Sequence, residues 1–247
     1  MKYLTLYATG AVILAFLLTG FAIPASFSNG YAGTTMLNGA WQSAEGSIEQ
    51  SLLVADGYGM LTKYDKTNKK FFHSFGGPLT AKDGKISLKV EFNSDDKTQV
   101  GKTLQYDFSI SNNILTSNIG GTKMQWQRTD DGKSDLAGNW RITQRKQDDK
   151  MGDIPLRPRR TLKLLTATRF QWAAINIETG EFSGTGGGTY TFADGKYTEH
   201  IEFFSRDNTR VGASLSFDGK IENGNWIHSG LSSRGDPIYE IWSRMKE

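Results

Sequence analysis

From Ile86 to Phe92 the chain alternates apolar and polar residues with period two, the pattern of a strand with one buried face. Short stretches of this kind recur along the chain, separated by clusters of Gly, Asn and Asp, and no 3.6-residue apolar period persists. Asp83-Gly84 and Asp194-Gly195 stand where a two-residue hairpin turn needs positive φ. The pattern predicts an all-β, antiparallel chain.

The pattern also repeats. Leu37-Asn38-Gly39-Ala40-Trp41 returns as Leu136-Ala137-Gly138-Asn139-Trp140, at an offset of 99. The offset then becomes 111: Gly76-Gly77 meets Gly187-Gly188, Asp83-Gly84-Lys85 meets Asp194-Gly195-Lys196, and Glu91-Phe92 meets Glu202-Phe203. Near the ends Trp126-Gln127-Arg128 meets Trp242-Ser243-Arg244 at an offset of 116. Growing offsets place insertions in loops, the main one inside Arg145–Arg160. Each copy suits a meander of about eight strands closed on itself, which removes exposed edges. The short join Thr129–Asp135 favours two tandem barrels, over 27–134 and 135–247, rather than one large barrel shared by both copies.

Composition narrows the classes. Gly is abundant at 28 residues and aromatics reach 12%, as in a strand-rich folded chain. The net charge of +3 is spread evenly over both copies, which argues against nucleic acid as a partner. Cysteine is absent, so disulfides, thiolate metal sites and a cysteine nucleophile are excluded. Lys2 followed by the apolar run Leu4–Pro24 and small residues reads as a secretory signal over 1–26, or as an N-terminal membrane anchor if uncleaved. The rest is then secreted or periplasmic, touching a membrane only through that segment.

Gly39-Ala40-Trp41 with Arg128, and Gly138-Asn139-Trp140 with Arg244, resemble the signature of the lipocalin (calycin) superfamily: Gly-x-Trp on the first strand and Arg on the last. Tyr197-Thr198-Glu199-His200-Ile201-Glu202 is similar to lipocalin-like exported proteins of Bacteroidetes whose function is unassigned. The resemblance implies a small antiparallel barrel in which Arg packs over Trp at the closed end. It also implies small-molecule binding, with no common cofactor and no catalysis.

Glu199 is the most informative residue. In the first copy Ile86, Leu88, Val90 and Phe92 form the inward parity, and their counterparts are Tyr197, Glu199, Ile201 and Phe203. A carboxylate on that face needs a cationic or hydroxyl partner, a watered cavity, or a proton. Glu240 aligns with Met124 and shares the inward parity of the tryptophans, so with Tyr190 and Tyr197 it would line a polar cavity in the second barrel. Arg157, Arg159 and Arg160, clustered in the inserted segment, either guard the mouth for an anionic ligand, pair with Glu199, or belong to a solvated loop. The run Gly184–Gly188 lacks the Lys-Ser/Thr of a phosphate loop and reads as a bend in a strand. His73, His200 and His228 show no metal-ligand spacing and read as surface residues, so no metal is expected.

The favoured function is an exported binding protein whose second barrel takes a small polar or anionic ligand. The alternative is a structural or interaction protein of the cell envelope, with both barrels filled. A glycosidase would require Glu199 and Glu240 to converge on one pocket.

Overall fold

The computed structural model describes residues 30–148, 150–232 and 235–245. The expected signal segment over 1–26 lies outside the described residues. After a short helix, α1 (Gly30–Leu37), come nine strands: β1 (Gly39–Glu45), β2 (Ile48–Ala55), β3 (Tyr58–Asp65), β4 (Lys70–Lys82), β5 (Lys85–Lys89), β6 (Phe92–Asn93), β7 (Thr103–Ser111), β8 (Ile114–Ser117) and β9 (Met124–Asp130). Nine more follow: β10 (Gly138–Gln147), β11 (Lys150–Asp153), β12 (Arg159–Leu165), β13 (Arg169–Asn176), β14 (Glu181–Ala193), β15 (Lys196–Phe204), β16 (Ser214–Glu222), β17 (Asn225–Leu231) and β18 (Pro237–Arg244). Every pairing is between antiparallel neighbours, and β9 returns to β1 as β18 returns to β10. Taking β5 and β6 as one interrupted strand and β11 as an appendage, each copy is a closed eight-stranded barrel. Among the described residues, no strand of one sheet pairs with a strand of the other.

The turns follow the local chemistry. Asp83 and Asp194 have φ of 50° and 52°, and the glycines after them 73° and 72°, as the hairpins require. The closed ends are built twice from the same parts. Trp41 donates its indole N–H to Leu37 O at 2.8 Å, as Trp140 does to Leu136 O at 2.8 Å. Arg128 covers Trp41 at 4.0 Å from the ring centre, and Arg244 covers Trp140 at 4.4 Å, within cation–π range. Each guanidinium also donates to backbone carbonyls of the entering chain: Arg128 to Met36 and Asn38, Arg244 to Asp135 and Ala137.

One expected parity is reversed. Phe92 and Phe203 do not face the barrel interiors. The ladder slips beside Glu202, where Gly188 pairs with Ile201 but Gly187 with Phe203, and one extra residue turns every later side chain over. Phe203 therefore packs outward on Tyr64 of the first barrel, with ring centres 4.8 Å apart, and Phe204 points inward. The bend needs glycine. A Cβ on Gly188 would lie 2.0 Å from His200 O, and one on Gly77 would lie 1.9 Å from Lys89 O.

The outer faces thus exposed cover each other. Leu53, Met60 and Phe92 of the first barrel form one buried cluster with Leu162, Leu164, Ala173 and Ile175 of the second. Beside it Thr62, Ser74, Gln171 and Thr185 share a buried hydrogen-bond network. Glu202, on the outer face with His200, receives bonds from Tyr64 and Arg169. Strands β2 and β12 are consequently buried on both faces, which explains their near-continuous apolar runs.

Candidate functional site

Four of the structurally equivalent positions at which the two interiors differ change chemical character most. In the first barrel these are Leu52, Leu88, Ser117 and Met124; the second has Lys163, Glu199, His228 and Glu240. All four of the latter are buried, the least at 7% exposure. A packed apolar interior has been exchanged for a charged one.

The charges are paired. Lys163 Nζ lies 2.7 Å from Glu199 Oε1, and the Tyr197 hydroxyl donates to the same oxygen at 3.0 Å. Lys163 also sits among four rings, Phe170, Tyr197, Trp226 and Trp242, at 5.3–5.8 Å from their centres. Ring faces and carboxylate together offset the desolvation of a buried ammonium. Burial, then the neighbouring Glu199 charge, pushes the Tyr197 phenol well above its ordinary range, so it stays a donor.

A second pair stands toward the mouth. Glu240 Oε1 accepts from Arg145 Nε at 3.0 Å and NH2 at 2.6 Å, while Oε2 accepts from Trp242 Nε1 at 3.0 Å. His228 Nδ1 is 3.5 Å from that Oε2. Burial alone would raise the Glu240 carboxyl; His228 and Arg145 outweigh it and bring it down to about 2. Burial holds His228 below its ordinary value, so the imidazole is neutral near pH 7. His228 is therefore no surface residue, because its strand turns that position inward against Phe217 and Trp226.

Above these pairs lies an open cavity of about 1020 Å³, lined by both glutamates, Lys163, Arg145 and the apolar Trp172, Phe204, Phe217 and Trp242. Its position is explained by the first barrel. There the loop between β8 and β9 folds inward, Ile119 is fully buried among Leu52, Leu61 and Trp126, and a Cβ on Gly120 would touch Leu61 and Gln50. The equivalents of Leu61 and Gln50 are Trp172 and Thr161, and both line the cavity. In the second barrel β17 runs on to Leu231 and β18 starts at Pro237, and Ser232 and Asp236, just beyond their ends, line the cavity. The inserted residues lengthen β10 and fold back as β11, a flap that carries Arg145 to Glu240.

Of the residues expected to form a site, Glu199 and Glu240 line this cavity and Tyr197 lies directly behind Glu199. Tyr190 lies elsewhere, toward the closed end, bonded to Thr166 O and the Ser134 hydroxyl. Arg157 is exposed in the loop after β11. Arg160, the second residue of β12, stands on the parity opposite to Thr161 and Lys163, so it faces away from the cavity. Neither arginine guards the mouth; Arg145 occupies that place. Lys163, His228, Arg145 and Trp172 went unrecognised in the sequence. The signal for Lys163 and His228 was present in the 111-residue offset, which sets them against Leu52 and Ser117.

Two closed eight-stranded antiparallel barrels, each shut by Trp beneath Arg, define a lipocalin-like fold, an architecture of the binding type. A family model described as a domain of unknown function (DUF4488) matches residues 135–247, the copy that carries the cavity. No curated protein matches the chain.

Proposed function

We propose that the protein is an exported, non-enzymatic binding protein whose second barrel holds a small polar ligand, with the first barrel as its packed structural partner. The observation that supports this most is the buried polar quartet of ionised Lys163, Glu199 and Glu240 with neutral His228 beneath an open cavity, at positions that carry no charge and lie under a plug in the other copy. Buried charge stabilises a fold poorly compared with apolar packing, so its retention at one mouth points to a ligand. The pattern of apolar walls with a few fixed polar groups suits small-molecule binding, and the volume is at the top of the usual range of about 300–1,000 Å³. Glu240, held ionised, is unsuited to the general-acid role a glycosidase demands.

Thermal unfolding of the full chain against a panel of saccharides, amino acids, dicarboxylates and nucleosides tests the reading. A ligand at 100 times its Kd should add about 2.7 kcal/mol and raise Tm by several degrees. Thr161→Trp, which fills the space that Gly120 approaches in the first barrel, should abolish that rise. Compounds that shift both proteins equally would place binding outside the cavity.

A further inference from the structure

We infer that the ligand of the second barrel is a neutral, polyhydroxylated ring compound, a saccharide of one to three units, stacked on Trp172 and Phe204 and hydrogen-bonded to Glu199. The inference rests on the cavity-binding reading above and specifies its substrate class.

Charge balance is the first argument. The paired charges of the cavity are buried Lys163 with buried Glu199, and buried Glu240 with Arg145, whose side chain is 46% exposed at the mouth: two cations and two anions in two bonded pairs, with His228 neutral. A ligand of net charge would have to break one pair or enter a desolvated site uncompensated, and either is costly. The remaining charges of the lining, Lys146, Asp148 and Asp236, are exposed at the rim, where solvent screens them, and they add no excess of positive charge for an anion. A neutral solute meets no such penalty.

Donor and acceptor placement is the second. Both bonds to Glu199 fall on Oε1, and Oε2 takes neither of them. A carboxylate oxygen at a cavity wall is a strong acceptor for a hydroxyl, since bonds to an ionised acceptor are roughly twice as strong as neutral ones. Glu240, by contrast, has both oxygens engaged, and so serves to position Arg145 and Trp242.

The walls are the third. Trp172 and Phe204 stand edge to face with centres 5.3 Å apart, and both border the cavity. Phe217 and Trp242 line it as well. Indole faces carry negative potential and accept the polarised C–H groups on one face of a pyranose, while the hydroxyls around its edge seek polar partners. An aliphatic ligand would leave Glu199 and Lys163 unanswered, whereas a hydroxylated ring answers both wall and floor.

The test uses the full chain with maltotriose, cellotriose, xylotriose and tri-N-acetylchitotriose as neutral probes, glucuronate as an anion and choline as a cation. Isothermal titration and saturation-transfer NMR read binding. At least one neutral saccharide should bind with a Kd unchanged within twofold between 50 and 500 mM salt, and its ring protons should receive saturation. Trp172→Ala, which removes a partly exposed wall, should weaken it by at least tenfold, and Glu199→Gln should do so while Thr161→Trp blocks it. Binding of glucuronate or choline in the Thr161→Trp-sensitive site, with no neutral saccharide bound, would overturn the ligand class and leave the cavity reading standing. Absence of binding by every probe, with no panel compound raising Tm, would overturn both.

Discussion

The two barrels share strand order, turns and closing tryptophans, yet one interior is sealed and the other open. Three local differences account for this. The first barrel joins β1 to β2 by Gly46-Ser47, and the second inserts the β11 flap at the same end. The first folds Ile119 inward as a plug, whereas in the second Ser232 and Asp236, which flank the equivalent connection, line the open mouth. Beneath the mouth, Leu52 and Leu88 are replaced by the Lys163–Glu199 pair. A duplicated scaffold can therefore keep one copy for stability while the other gives up packing for chemistry. The cost falls on that copy alone, because the closed-end contacts are repeated intact in both.

The sharpest way to break the comparison is to convert one interior toward the other. Lys163→Met should strand Glu199 in a buried site and cost about 3–5 kcal/mol, read by denaturant unfolding. The double change Lys163→Leu with Glu199→Leu, which restores the pattern of Leu52 and Leu88, should be neutral or stabilising by about 1–4 kcal/mol. A double variant as unstable as the single one would show that the pair supports the fold rather than occupying a site.

Truncating the plug approaches from the other side. Ile119→Ala should destabilise the first barrel by about 2–5 kcal/mol, as deletion of a buried aliphatic side chain does. The counterpart change at the open mouth, Ile238→Ala on a partly exposed rim residue, should cost much less. Equal losses at the two positions would deny that only one mouth is plugged.

Acid should reveal the smallest difference. His228 has its pKa lowered in the folded state, so below about pH 6.5 the unfolded chain binds the extra proton and stability falls. Glu240, at about 2 against an ordinary 4.5, contributes stability present above pH 4.5 and lost as pH drops toward 2. Each group can contribute a slope of up to ~1.4 kcal/mol per pH unit in its window. His228→Ser, which copies Ser117 of the first barrel, should flatten the upper part of that acid slope. An unchanged profile between pH 6.5 and 5 would remove His228 from the account.

Much of this was legible in the residues. Alternation showed antiparallel strands, the ordered repeat showed two copies, and the paired Gly-x-Trp and Arg marked the closed ends, because these depend on period and local spacing. Glu199 was readable because its strand has one apolar face, against which a carboxylate stands out. Lys163 hid in Leu162-Lys163-Leu164-Leu165, since a strand buried on both faces loses the alternation that reveals direction. His228 hid because a neutral imidazole looks the same in sequence whether it faces water or core.

What the sequence determined by itself was the architecture, the duplication and the two acidic positions, Glu199 and Glu240, that break the apolar parity. Those follow from side-chain period, turn chemistry and residue identity, which are local properties. The tertiary structure alone decided that Phe203 turns outward at a bulge, that Arg145 rather than Arg157 or Arg160 reaches Glu240, and that Ile119 fills one mouth while the other stays open. Each depends on where distant segments meet in space, and one residue of slip in a ladder is enough to exchange inside for outside.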